Sequence, residues 1–327
     1  MTSSPSTVTV DVHLTDEEWD AAMVEECRRG LTATPKVLSP VWFYDARGSQ
    51  LFDEITRLPE YYPTRAERSL LAEHAAAMVS AAGADTLVEL GSGTSDKTRH
   101  LLDALTADGR PARYVPFDVS EATVRAAADQ LVEEYPALQV HAVIGDFNRH
   151  LGAIPVEGRR LVAFLGSTIG NLDPDERRRF LGALRLVLGE DDRFLLGVDL
   201  VKDRDVLVRA YDDADGVTAE FNRNALCHLN DRLGATFDPA TFRHVARWDE
   251  AASRIEMHLR STLEQAVRLD ALDLEVRFDR GEELRTEIST KFTMEGIAAE
   301  LDEAAFDVVR TWVAEPGFGL LLARPAA

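Results

Sequence analysis

Cysteine is scarce in this chain: two residues in 327, Cys27 and Cys227. They lie far apart, no CxxC pair exists, and no His/Cys cluster has zinc spacing. A disulfide scaffold and a zinc module are therefore excluded, and two ordinary thiols in a reducing compartment are expected. Basic charge is also short. Lys and Arg number 36 against 57 Asp and Glu, for a formal net charge of -21, which argues against a broad nucleic-acid surface. No apolar run approaches the ~20 residues of a membrane helix. The opening "MTSSPSTVTV" lacks the basic region and apolar core of a signal peptide. A cytoplasmic monomer with neither nucleic-acid nor membrane partners is expected. The eight histidines show no H-x-x-x-H or Ser-His-Asp pattern, and "GSTIG" is not the G-x-S-x-G elbow of a hydrolase. Apolar residues, by contrast, make up 45%, ample for two domains or one enlarged domain.

Residues 1–12 are small and polar and read as a loose tail. "TDEEWDAAMVEECRRG" reads as a helix with a Thr15/Glu18 capping box, a buried Trp19–Met23–Cys27 stripe and Gly30 as its stop. "LTATPKVLSPVWFYD" is punctuated by proline and reads as a loop. "GSQLFDEITRLPEYYPTR" contains a short helix ended by Pro59. From residue 65 helix and strand alternate: "AERSLLAEHAAAMVSAAG", "TLVEL", "SDKTRHLLDALTADG", "RYVPFDVS", "EATVRAAADQLVEEYP", "QVHAVIGDF", "RLVAFLGSTIGNL", "PDERRRFLGALRLVL", "DRFLLGVDLV". Repeated β-α units with buried strands predict an α/β, doubly wound parallel sheet. After about residue 201 a broken helical stretch precedes segments that alternate and carry turn signals, read as a meandering antiparallel sheet. "MEGIAAELDEAAF" returns to helix, and "DVVRTWVAEPGFGLLLARP" reads as two strands around a Pro-Gly turn.

The stretch "LVELGSGTSDKTRHLL", residues 87–102, holds the most informative loop. A P-loop needs glycine directly before Lys-Ser/Thr, but Asp96 precedes Lys97-Thr98. A dinucleotide loop needs a third small residue after G-x-G, and Asp96 stands there too, its charge opposed to a pyrophosphate. An adenosyl cofactor without phosphate, S-adenosylmethionine, needs close backbone approach at Gly91 and Gly93 and tolerates the acid. The two glycines could also serve only a tight turn. Asp118 ends the next strand, 27 residues after Gly91. It can accept the ribose hydroxyls or cap the following helix, for which Ser120 is the better cap. Asp146 and Phe147, in "GDF" at the end of the third strand, can meet the adenine amino group and border the purine, or form an Asp turn with a core ring. Three such positions at strand C-termini agree with ligand binding at a switch point and point to a class I methyltransferase.

"LTATPK", "WFYD", "LPEYYPTR", "LVELGSGTSDKT", "FLGSTIGNL", "RAYDDADGVTAEFNRN" and "RIEMHLR" resemble the actinobacterial ergothioneine-pathway histidine Nα-methyltransferases, from about residue 25 to the C-terminus. The resemblance implies a Rossmann-like class I methyltransferase domain over 62–200 and 291–327. It also implies an α+β substrate-binding domain over 13–61 and 201–290, with the substrate between the two. It implies cofactor contacts at Gly91, Lys97, Asp118, Asp146 and Phe147. Substrate contacts are implied at Tyr61, Gly166, Asn171, Tyr211, Met257, Glu287 and Ser289, with Tyr44 near the reacting amine. The implied activity is transfer of three methyl groups to the α-amine of L-histidine, giving hercynine, with S-adenosylmethionine as cosubstrate.

Such a transfer is an in-line displacement from which the sulfonium leaves as a neutral thioether, so alignment is the main task and no metal is required. Asn171 and Tyr211 suit the carboxylate; Glu287, with Ser289 beside it, suits the imidazole N–H. Tyr61 could meet the other ring nitrogen directly or through water, and Met257 could pack on the ring face. Tyr44 is expected to orient the amine, since an unperturbed phenol is a poor base at neutral pH. Read without the resemblance, alternation in "LRTEIST" places Glu287 on a solvated strand face, Met257 is a core residue, Tyr211 ends a packed helix and Asn171 forms a turn. Three alternatives remain: an N-methyltransferase of another amino acid such as tryptophan, a non-catalytic adenosyl-ligand binder, and a nucleotide-dependent dehydrogenase. Glu287 and Met257 speak against tryptophan, because an indole N–H gains little from a full carboxylate.

Overall fold

Residues 8–12 are not loose tail. They form a strand, β1 (Val8–Val12); the rest of the expected tail lies outside the described residues. The structure, a computed structural model, describes residues 8–107, 109 and 111–326. Helix α1 (Asp16–Thr32) opens on three acids and carries Arg29 in its last turn, matching the helix dipole. Met23, Cys27 and Leu31 are fully buried along one stripe, with Trp19 half-buried beside them. Gly30 does not end the helix, which runs on to Thr32. A Cβ at Gly30 would lie 2.3 Å from the Val37 carbonyl oxygen. Glycine is there so that β2 (Lys36–Val37) can pass against the helix. A 3-10 turn at Pro40–Phe43 buries Trp42 and Phe43. Asp45 then caps α2 (Ala46–Ile55), accepting the Gly48 N–H at 2.6 Å.

Helix α3 (Pro63–Ala82) leads into β3 (Thr86–Leu90), buried at every residue. Helix α4 (Arg99–Thr106) starts later than its sequence suggests. Ser95 sits at φ +57°, outside the helical region, and the turn extends to Thr98. The alternation continues through β4 (Ala112–Asp118), α5 (Glu121–Glu134), β5 (Leu138–Ile144) and β6 (Arg160–Phe164). It closes with α6 (Pro174–Val187) and β7 (Arg193–Asp199). A capping box starts α6: Asp173 accepts the Glu176 N–H and Glu176 accepts the Asp173 N–H, both at 2.8 Å. Then follow α7 (Arg204–Tyr211), α8 (Val217–Leu233), β8 (Phe242–Asp249), β9 (Arg254–Ser261), β10 (Gln265–Leu269), β11 (Leu274–Phe278) and β12 (Glu283–Thr290). The chain ends with α9 (Met294–Glu303), β13 (Phe306–Ala314) and β14 (Phe318–Pro325).

These elements sort into two compact units. The first comprises the described residues up to Thr15, Ala66–Leu200 and the described residues from Phe292 on; the second comprises Asp16–Arg65 and Val201–Lys291. In the first, eight strands form one sheet in the order β1-β5-β4-β3-β6-β7-β14-β13. Pairing is parallel from β1 to β7 and antiparallel for β14 and β13, so the sheet is mixed, with a hairpin at one edge. The chain builds outward from β3 through β4 to β5, then returns to β6 on the other side of β3. That reversal is the switch point where such sheets bind ligands. Alternating strand residues feed two cores. Leu87, Leu161, Leu195 and Leu320 pack with α3, α4 and α5, while Val88, Val162, Leu196 and Leu321 pack with α6 and α9. The fold is α/β, Rossmann-like and doubly wound, as the alternation predicts.

In the second unit the expected single meander is two sheets. Strands run β2-β12-β9-β8 in one, and β10-β11 form a separate hairpin. The Ser261 hydroxyl donates to the Leu263 carbonyl at 2.7 Å where the chain leaves the sheet; β12 then takes the place beside β9. One core serves the unit, drawing Met23, Trp42, Leu51, Leu229, Leu259 and Phe278 from its helices and strands. Among the described residues no helix is long and apolar enough to cross a membrane.

Candidate functional site

In the first unit the loop after β3 carries Gly91 at φ +71° and Gly93 at φ +49°, with nothing within 4 Å of a Cβ built on either. Glycine answers the left-handed backbone, and it leaves open space beside the chain. Asp118, at the end of β4, grips this loop: its Oδ2 accepts the Gly93 N–H at 3.0 Å and its Oδ1 the Ser120 N–H at 3.0 Å. Burial pushes the Asp118 carboxyl above the usual range, and the N–H groups of Ser120, Gly93 and Val119 oppose that. Ser120 stands at the N-cap of α5 but makes no side-chain cap bond. Its hydroxyl pairs with that of Thr123 at 2.8 Å, so the expected serine cap is not made. After β5, Asp146 accepts the Asn148 N–H at 2.8 Å, an Asx turn. The Phe147 ring packs on Phe164 and Phe180 at 5.2 and 5.7 Å between centroids. Ser92, between the two glycines, has a buried hydroxyl without a hydrogen-bond partner. Open glycines, an orphaned hydroxyl and carboxylates at two neighbouring strand ends suit an adenosyl group. Asp96, in the turn before α4, pairs with Arg99 at 3.2 Å.

Two buried acids underlie this loop. Glu89 Oε2 accepts the Thr98 and Tyr114 hydroxyls, both at 2.6 Å. Burial raises its pKa to about 7 against those two bonds and the charge of Lys97. Glu67, fully buried on α3, was missed in the sequence. It accepts the Gly166 N–H at 2.7 Å and the ammonium of Lys97. Lys97 and Gly166, expected on different ligands, are thereby held side by side. The signal was present: Glu67 falls on the stripe of Leu70, Leu71, Ala75 and Met78, where helical periodicity wants an apolar residue. Asn171 closes a 3-10 turn, Thr168–Asn171, after β6 and is half-buried.

The second unit gathers the other six expected residues. Tyr44, 45% exposed, meets Phe52 edge-on at 5.7 Å; Phe52 meets Tyr61 at 6.2 Å, and Tyr61 meets Tyr211 at 6.2 Å. The Tyr211 hydroxyl lies 2.8 Å from Ser289 Oγ. His244 Nε2 anchors the Tyr211 carbonyl at 2.8 Å. On the sheet, Leu284 pairs with Leu259, the register slips between Arg285 and Glu287, and then Glu287 pairs with Met257 and Ser289 with Ile255. Residues opposite each other share a face. The one-residue bulge therefore moves Glu287 and Ser289 onto the face of Met257, Ile255 and Leu259, which belong to the core. Glu287 is half-buried there, and the solvated-face reading of strict alternation does not hold. Lys291, fully buried beside Tyr211 and Ser289, was also missed; its one signal is its place two residues beyond Ser289. Among the described residues no group of three or more His, Cys, Asp or Glu is placed to hold a metal ion.

A family model described as histidine-specific, S-adenosylmethionine-dependent methyltransferase matches residues 23–325. The chain is 54% identical over 317 residues to the histidine N-alpha-methyltransferase of Mycobacterium tuberculosis, covering 97% of this chain and 99% of that protein. It is 56% identical over 303 residues to the histidine N-alpha-methyltransferase of Mycolicibacterium smegmatis, covering 92% and 94%. It is 31% identical over 297 residues to ergothioneine biosynthesis protein 1 of Neurospora crassa, covering 88% of this chain and 33% of that protein.

Proposed function

Because the chain belongs to the histidine-specific, S-adenosylmethionine-dependent methyltransferase family, we propose that it trimethylates the α-amine of L-histidine to hercynine for ergothioneine biosynthesis. The observation that carries the substrate reading is the β12 bulge. It sets a carboxylate, Glu287, and a hydroxyl, Ser289, on one face with Met257, a combination suited to an imidazole N–H and a flat ring.

In this reading Gly91, Lys97, Asp118, Asp146 and Phe147 hold S-adenosylmethionine, and the orphaned Ser92 hydroxyl gains a partner. When bound, the cosubstrate supplies an electrophilic methyl whose sulfur departs as a neutral thioether. Glu67 keeps Lys97 and Gly166 in place. Asn171 and Tyr211 hold the amino-acid carboxylate, Gly166 borders the substrate, Glu287 accepts the imidazole N–H, and Tyr61 meets the other ring nitrogen. Tyr44 orients the amine. The amine must be neutral to attack, so the ammonium of histidine loses a proton before each of three transfers, and the final trimethylammonium carries none. Tyr44 aligns the lone pair with the methyl group, and the protons leave to water.

Incubation of the purified protein with S-adenosylmethionine and each amino acid, followed by product mass, tests the proposal. Three added methyl groups on histidine are expected. Turnover of tryptophan or another amino acid with none of histidine refutes the substrate; binding of donor without turnover of any amine refutes the activity.

A further inference from the structure

Glu67 is an acid where the apolar stripe of α3 calls for none. It is fully buried at 0% exposure, and the sheet makes room for it: a Cβ at Gly197, on β7, would lie 2.3 Å from its Oε1. That oxygen accepts the Gly166 N–H at 2.7 Å, and Oε2 accepts the Lys97 ammonium. The Lys97 Nζ in turn lies 3.5 Å from where a Cβ at Gly166 would sit. Both bonds have a fixed sense, since a backbone N–H and an ammonium only donate. A carboxylate accepts from both at once, whereas an amide would turn its NH2 toward one of them. Stability does not call for this pair, because a buried ion pair costs about as much to desolvate as its attraction returns. Its charge has a different consequence. Lys97 keeps 23% of its side chain exposed, and by itself it would leave this end of the sheet positive. A cosubstrate that carries a sulfonium is repelled by such a cation, and Glu67 offsets it.

We propose that Glu67 is the counter-charge of the cosubstrate site, and that it shifts the site's choice toward cationic S-adenosylmethionine and away from neutral S-adenosylhomocysteine. This rests on the S-adenosylmethionine reading given above. The two ligands share the adenosine and the amino-acid part and differ by one methyl and one positive charge. The ratio of their affinities therefore reports the charge that the protein presents to the sulfur, and a general loosening of the loop cancels in it. Trimethylation releases three molecules of the neutral product for each amine, so the ratio also sets how strongly the enzyme is inhibited by its own product.

Isothermal titration with S-adenosylmethionine and with S-adenosylhomocysteine, without any amino acid so that no methyl is transferred, reads the ratio directly. Glu67→Gln keeps the shape and removes the charge. It should lower the preference for S-adenosylmethionine over S-adenosylhomocysteine by about threefold to thirtyfold relative to wild type. Lys97→Gln, which still donates to the acid but carries no charge, should raise that preference. The double variant removes one charge of each sign and should return close to the wild-type ratio. In turnover, product inhibition should become stronger in Glu67→Gln by the same factor. An unchanged or raised ratio in Glu67→Gln, including equal weakening of both ligands, overturns the proposal, as does a double variant that keeps the low ratio. Should Glu67→Gln not fold, Lys97→Gln decides: a ratio that stays or falls overturns it. These outcomes leave the cosubstrate reading standing. A wild type that binds neither ligand refutes that reading, and this inference falls with it.

Discussion

Glu89 titrates in an unusual direction. Burial raises its pKa in the folded protein to about 7 from an ordinary 4.5. The unfolded side chain loses its proton first as pH rises, so between those values the folded state binds more protons. Stability from this group therefore falls as pH rises from 4.5 to about 7 and stays reduced above. A glutamine in its place has no such dependence and can still bond Thr98 and Tyr114. Urea unfolding of wild type and Glu89→Gln at about pH 5 and about pH 8 should show the variant gaining relative stability at the higher pH, by up to ~3 kcal/mol. A difference that does not move with pH refutes this. Glu287 governs specificity at the same scale. Glu287→Ala should raise KM for histidine by about tenfold to a hundredfold while donor binding, read by titration with S-adenosylhomocysteine, stays unchanged. An unchanged KM removes Glu287 from the substrate site. Neither acid was fully legible beforehand. Glu89 sits in a short apolar strand just before the two glycines, but its satisfaction depends on Thr98 and Tyr114 reaching it from other elements.

At the scale of elements, α1 shows how a glycine can mislead. Helix rules make Gly30 a terminator, and by propensity alone alanine there should stabilise by about 1 kcal/mol. The Val37 carbonyl lies 2.3 Å from where that Cβ would sit, and a backbone atom cannot swing away. Gly30→Ala should therefore destabilise, by roughly 1–3 kcal/mol, read as a lower urea midpoint; a gain in stability would mean that β2 yields freely. Strand β12 teaches the same lesson with a different cause. From Leu284, period-two alternation sends Thr286 and Ile288 inward and Glu287 and Ser289 outward. The bulge after Arg285 brings Glu287 and Ser289 opposite Met257 and Ile255 while Thr286 and Ile288 stay buried, and no residue of "LRTEIST" announces it. The β-α units, in contrast, were readable in order and type, although α4 begins later than its sequence suggests. Their strands are buried on both faces and their helices are amphipathic, so each carries its own period.

Over the whole molecule, the chain passes between its two units four times, so each unit is completed by segments distant in sequence. Ligands that bind the folded state raise its stability by mass action, about 2.7 kcal/mol at a hundredfold excess over Kd. S-adenosylhomocysteine should raise the unfolding temperature, and NAD at the same concentration should not, because Asp96 opposes a pyrophosphate at the α4 entrance. The reverse outcome would return the chain to nucleotide chemistry. Sequence alone determined the doubly wound sheet and the open glycine-bearing loop after β3, since these rest on local period and backbone freedom within short stretches. Tertiary structure decided which buried polar groups act together. Glu67 with Lys97 and Gly166, and Lys291 with Tyr211 and Ser289, are joined by hydrogen bonds between elements far apart in the chain. A buried polar side chain has no use until a distant partner satisfies it, and only the folded chain says which partner that is.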